Sequence, residues 1–448
     1  MRKSLKICIG CAGTFAILTV VALVVGAWFI SSQFSQHGAE EDLERELALI
    51  RQRGEPVTPE ELEDFCRPDP SETDVAPLFA EATSLLAKPE FKSDAEGIVF
   101  VGLKAPEPAW PGEEWREKGA AKDLLAKYGS QLEQLHAAAE LDGMAYHRID
   151  FHRGIAASLE HLEGWRAAAR LLCLEALVAA HEDRPHDAAR AICAVYAMTN
   201  SLQREPVLVS QTTRVGLQWI AHLRMEKLLP RVAFASEDLR ALQEELRKSD
   251  FHASLKQALL GERVLILVVF SDPGAFVEGS QRTPIPDAPI QRSVDAMLFL
   301  QFMEGMIAAV DEPWPEVRRH FREADQQVRI RASGFPGNLR YTLTALFLPS
   351  FDSSVVVFAR AEAARLVLDA AIAAELFRRD NGDFAENLQQ LVPAYLPALP
   401  VDPFDWQPLR YRKTGEATTI YSIGEDECDD GGKGDLAGKP DLQFTWPR

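Results

Sequence analysis

"EGWRAAARLLCLEALVAAHEDRPHDAARAICAVYAMTNSLQ", residues 163–203, decides the fold class. Alanine, leucine, glutamate and arginine dominate it, and its apolar residues recur three and four apart, the period of a helix with a buried face. The pattern breaks at 182–187, "EDRPHD", where a proline among polar residues turns the chain. The stretch reads as a helical hairpin, with a first helix ending near His181 and a second starting around Asp187. The same periodicity continues from about 117 to 330, so the chain is expected to be mainly α, with a large helical domain over 117–350.

Small alanines on both arms of the hairpin resemble the helix–turn–helix unit of tetratricopeptide-like repeats, where helices approach closely. No clean repeat period runs through the region, and an irregular helical bundle stands beside that reading. Residues 264–270 (VLILVVF) are too few to span a bilayer, and 296–310 (AMLFLQFMEGMIAAV) carry Gln301 and Glu304. Both read as buried helix segments. Residues 270–291, rich in proline and glycine, read as a long loop.

Toward the N-terminus, residues 7–30 hold no charged side chain. As a helix they reach roughly 36 Å, enough to cross a bilayer with some tilt. Arg2, Lys3 and Lys6 precede the run, and Glu40, Glu41, Asp42, Glu44 and Glu46 follow it. The positive-inside rule then places the N-terminus in the cytoplasm and the bulk of the chain outside an inner membrane, crossed once. The run is long for a cleaved signal, and it lacks the glutamate of a prepilin leader. Residues 31–116 read as an acidic helical stalk followed by an irregular segment. Within it, 95–115 reads as a loop with a short strand, its Trp110 and Trp115 folded down on the domain.

With 67 acidic residues against 48 basic ones, the formal charge of −19 excludes a nucleic-acid partner, which needs a basic surface. Of six cysteines among 448 residues, Cys8 and Cys11 lie at the start of the apolar run, and Cys66, Cys173, Cys193 and Cys428 are scattered with no CxxC among them, which argues against cysteine zinc sites and a disulfide framework. Cys173 and Cys193, on the two arms of the hairpin, read as buried thiols.

Residues 351–448 read as a small α+β unit. Ala361, Ala364, Leu368, Ile372 and Leu376 make a stripe on a helix over 360–379, stopped by "DNG" (380–382) with Gly382 free to take positive φ. Then come "ENLQQLVPAYLPALPVDPF", the strand-like "LRYRK", the turn "TGEA", a second strand "TTIYSI", and the acidic loop "GEDECDDGGKGD".

This order resembles the head of type II secretion major pseudopilins. The matching residues are Phe377, Asp380, Asn381, Gly382, Leu391, Val392, Leu399, Pro400, Asp402, Pro403, Phe404, Tyr411, Tyr421, Ser422, Gly424, Asp426, Gly431 and Gly432. Ala385 departs from the family's proline, and over 300 residues separate the membrane run from the head helix, unlike a pilus subunit. The resemblance implies a pseudopilin-like head, a link to a secretion-type apparatus, and calcium in the acidic loop. Asp426, Asp429, Asp430 and Asp435 would supply the oxygens, and glycines the bends.

For catalysis the richest stretch is "YHRIDFHRGIAASLEHLEGW" (146–165), with His147, Asp150, His152, Glu160 and His161. Histidines five and nine apart do not share one face of a helix, so a solvated helix face is expected. HExxH and GxSxG are absent, and no glycine-rich phosphate loop follows a strand. The sequence therefore points to a non-catalytic membrane-anchored envelope protein that contacts other proteins. The alternative is an extracytoplasmic hydrolase with a His/carboxylate site in the helical domain. A pocket joining histidines and carboxylates would favour the hydrolase, and an apolar or acidic groove on the hairpins would favour the binder.

Overall fold

In the computed structural model, residues 38–447 are described, apart from 103–104, 106–107, 273–291, 335–336, 416 and 435–440. The membrane run at 7–30, most of the loop at 270–291, and Asp435 lie outside the described residues. Helices α1 (38–52), α2 (Pro59–Cys66), α3 (Ala76–Leu86), α4 (Pro89–Asp94), α5 (Lys118–Lys127) and α6 (Gly129–Ala139) come first. A 3₁₀ turn, Phe151–Ala156, leads to α7 (His161–His181), α8 (Pro185–Ser201), α9 (Leu208–Leu228), α10 (Ser236–Arg247) and α11 (Phe251–Ser271). Next are α12 (Arg292–Ala309), α13 (Trp314–Arg331), the short α14 (Gly337–Arg340) and α15 (Thr342–Phe347), and the long α16 (Pro349–Asn381). Strands β1 (Arg410–Lys413), β2 (Ala417–Ser422) and β3 (Leu442–Pro447) follow. The architecture is mainly α.

The hairpin α7/α8 forms where its sequence places it. Pro185 sits at the first position of α8, where its missing N–H costs nothing. Ala168, Ala176, Ala179, Ala188 and Ala191 are buried, and such small side chains let the two helices lie close. α8 also packs on α6, α9 and α10, and α7 on α3 and α9. Helices of 21, 17, 21 and 12 residues (α7 to α10) make an irregular array rather than a fixed repeat.

α16 is the spine. Every residue from Val367 to Leu376 is buried, so the expected stripe is closed over on all sides. Its alanines make this possible by keeping the helix thin. The two buried acids on it are matched: Asp369 accepts from Arg247 and Gln243, and Glu375 from Arg378 and Arg379. Thr342–Asn381 is long and apolar enough to cross a membrane, the one such stretch among the described residues. Here protein, not lipid, covers Val367–Leu376. Gly382 ends α16 at φ 85°, its N–H closing on Arg378 O, as its sequence predicts.

α16 packs against α9, α10, α11 and α13, and also against β2 and β3. The helical region and the C-terminal α+β unit therefore share a core, which runs from Val75 through α7 and α8 to Trp446. A second core joins α11, α12 and α13 to the first half of α16 and to Phe404, Ile423 and Leu442. Residue 350 is thus not a packing boundary. The sheet is antiparallel in the order β1-β2-β3, with Tyr411 opposite Ile420 and Ile420 opposite Phe444. β1 and β2 fall on "LRYRK" and "TTIYSI"; β3 was not expected.

Two local expectations change. α1 is no free stalk: Ile50 is buried in the second core, and Leu43 and Leu47 pack against it. Buried Arg263 reaches Glu55 at 2.8 Å and Glu304 at 2.6 Å, tying the segment after α1 to α12. At 98–102 the chain turns instead of forming a strand. Trp115 is buried and Trp110 packs near Phe100, so both fold down as expected.

Candidate functional site

His147 and His161 do not lie on one helix. His147 stands in the irregular stretch after α6, and His161 opens α7. Between them the 3₁₀ turn at Phe151–Ala156 reverses the chain, with Gly154 at positive φ. Hydrogen bonds hold the stretch from outside: Ala145 N donates to Ser201 O at the end of α8 (2.8 Å). The two rings stack with centroids 3.9 Å apart and planes 16° from parallel. The edge of Trp165 meets His147 at 5.5 Å.

Both imidazoles converge on Glu205, in the turn between α8 and α9. His147 Nδ1 lies 2.9 Å from Oε2, and His161 Nε2 lies 3.0 Å from Oε1 and 3.1 Å from Oε2. Buried Gln211 fixes that turn by donating to the carbonyls of Leu202 and Glu205, both at 2.8 Å. Behind it, α11 comes so close that a Cβ on Gly261 would lie 1.6 Å from Pro206 O, so only glycine fits. Glu205 is 4 % exposed. Burial pushes its carboxyl up, but hydrogen bonds from His147 and His161 outweigh burial and hold its pKa at about 2.

A cavity of about 20 Å³ borders the centre, lined by Cys66, Tyr146, His147, Phe151 and Glu205 among others. That is room for about one water, not for a substrate. Burial, with Glu205 nearby, pushes the Cys66 thiol up to about 12.

The expected solvated face is thus corrected for His147 and His161, whose side chains are 13 % and 18 % exposed. It holds for the rest: His152, Asp150 and Glu160 are exposed, with His152 3.4 Å from Glu60. Glu205 was missed because nothing near it in sequence is histidine-rich. Among the described residues, the other His/carboxylate group able to hold a metal is Glu312, Glu316 and His320, on the surface.

A second feature is a groove of about 490 Å³ between α6, α8 and α10. Its floor carries Ala194, Ala197 and Cys193, and its walls carry Glu140, Arg190, Glu244, Glu245 and Lys248. Arg190 pairs with Glu140 across the α6–α8 gap at 2.9 Å. Cys193 and Cys173 are free thiols.

In the acidic loop, Asp426, Asp429 and Asp430 are exposed and form no group whose oxygens converge like those at Glu205. Asp426 caps Cys428 N at 3.1 Å; Asp429 accepts from Gly431 N at 2.9 Å and from the Tyr421 hydroxyl at 3.1 Å. Buried Asp441, missed in sequence, accepts from Gly432 N at 2.7 Å and Lys433 N at 3.2 Å. Its Oδ1 is buried without a hydrogen-bond partner among the described residues.

No protein-family model, curated protein or solved structure matches the chain.

Proposed function

We propose that this chain is a non-catalytic, single-pass membrane protein of the cell envelope, linked to a secretion-type apparatus, whose helical body holds a partner protein. The groove between α6, α8 and α10 supports this reading: alternate helices of a hairpin array line one concave surface with an apolar floor. Its rim of mixed charge, with Arg190 paired to Glu140 and Lys248 to Glu245, suits an extended segment with an apolar strip and polar flanks. The hydrolase reading gains a histidine pair, but the cavity beside that pair does not admit a substrate. Photo-crosslinkers placed at Ala197 and Ala241 test the proposal in intact cells, with Glu316 on the surface of α13 as control. Capture of one envelope protein from both groove positions and not from the control is expected. Equal labelling at all three positions, or none, would sink it. The membrane reading is tested separately: protease added to spheroplasts should digest residues 38–448, and their protection overturns the topology.

A second reading concerns calcium at the acidic loop, and the orphan Oδ1 of Asp441 favours it. A cation shared by Asp441 with Asp426, Asp429, Asp430 or Asp435 would satisfy that oxygen and offset the loop's mutual repulsion. Full-length protein in detergent should melt higher in calcium than in chelator, and Asp441→Asn should remove the difference. Identical wild-type melting in both would leave the loop a solvated turn.

A further inference from the structure

We propose that His147, His161 and Glu205 form a binding site for one divalent transition-metal ion of the zinc class. The site stands apart from the groove and from the acidic loop, and it does not depend on the function proposed above.

Donor chemistry comes first. Two imidazole nitrogens and one carboxylate are a ligand set that zinc uses with a water or a fourth side chain. Hard cations such as calcium and magnesium prefer all-oxygen shells and are disfavoured here. The nitrogens come from chemically different positions, Nδ1 of His147 and Nε2 of His161, so each ring has been oriented separately toward the same carboxylate.

The donor spacing is already close to that of a tetrahedral site. Donor atoms in a tetrahedral site with bonds of about 2.0–2.1 Å lie roughly 3.3 Å from one another. The nitrogen–oxygen separations here are 2.9 to 3.1 Å, and all three ligand atoms lie within 4.8 Å of one another. Because the rings now stack with planes 16° apart, side-chain rotation that splays them brings both lone pairs onto one ion. Binding turns each linking nitrogen from donor to lone-pair ligand, its proton passing to the ring's other nitrogen or, from an imidazolium, to solvent.

A coordination position remains toward the cavity of about 20 Å³, where Cys66 stands with His147 and Glu205. Water completes the shell there. The cavity admits no larger ligand, so the ion's role is mechanical. It pins the α6–α7 connection to the α8–α9 turn, and through Gly261 to α11.

Tag-free full-length protein in detergent, stripped with chelator and dialysed against a small excess of buffered free zinc, tests the site. The Glu312/Glu316/His320 group is removed as a competitor by His320→Ala. In that background we expect one equivalent of zinc, and a melting temperature higher with zinc than with chelator. Glu205→Gln and His161→Asn, each checked for folding by circular dichroism, should lose at least nine-tenths of the bound zinc. Cobalt substitution should give the intense visible bands of a tetrahedral site. Sub-stoichiometric zinc in the folded His320→Ala protein overturns the proposal. So does full retention of zinc in folded Glu205→Gln, or an octahedral cobalt spectrum.

Discussion

Two regions of this molecule are rich in carboxylate chemistry, and they are built in opposite ways. Around Glu205 a lone carboxylate is buried and two imidazoles converge on it. In the acidic loop, Asp426, Asp429 and Asp430 crowd into five residues, yet each is exposed and two of them cap nearby backbone N–H groups. Density of charge along the chain therefore says little about density of charge in space. Burial makes the difference: it raises the energetic stakes of each polar contact, while water screens the loop.

The comparison breaks most readily at Glu205. Replacing it with alanine leaves two half-buried imidazoles without their acceptor and opens a void beside Gln211. Each buried donor left without its acceptor costs about 1–3 kcal/mol, so the two together cost roughly 2–5 kcal/mol. Denaturant unfolding of the full-length protein should show a loss of that size; a loss under about 1 kcal/mol would mean the carboxylate is no anchor.

Asp295 sharpens the contrast, because it is buried with hydrogen bonds but no cation. It accepts from Leu343 N at 2.9 Å and from the Thr344 hydroxyl at 2.6 Å, latching α15 to α12. Burial raises its pKa to about 6, against the lowering contributed by these donors. An unfolded aspartate titrates near 3.9. Between those values the folded protein keeps the extra proton, so stability is full below about pH 4 and falls as pH rises through about 6. The fall is on the order of 2–3 kcal/mol. Stability curves for wild type and Asp295→Asn over pH 4 to 7 should differ by this slope; parallel curves would remove Asp295 as its source.

Effects should be smallest in the loop. Asp426→Ala and Asp430→Ala, in chelator, should shift stability by no more than about 0.5 kcal/mol, as exposed substitutions do. Calorimetric unfolding showing more than about 1 kcal/mol would reveal contacts among these acids that the comparison denies.

The helices were legible because their signals are local. Periodicity placed α7 and α8 within a residue or two, and Gly382 marked the end of α16. The pairing of β1 with β2 followed from a short turn. β3 carried a signal that went unread: Leu442, Phe444 and Trp446 alternate with Gln443 and Thr445, and the first three are buried. α1 read as a stalk because five acids cluster at its start, although Leu43, Leu47 and Ile50 follow a helical face into the core. The histidine centre was rejected by a helix-face argument applied to residues that are not one helix. Its third member, Glu205, lies 44 residues beyond His161, and only tertiary packing brings them together.

The spine also sets when folding can finish. α16 is a wall of both large cores, and it begins only at residue 349 of 448. While the chain grows from its N-terminus, helices α3 to α13 emerge with their apolar faces still open. Contacts as distant in sequence as Gln243 with Asp369 cannot form until the last quarter arrives. Folding is thus postponed to the end of synthesis, when both cores close on one helix together. Until then the apolar faces of both cores have no helix to close on.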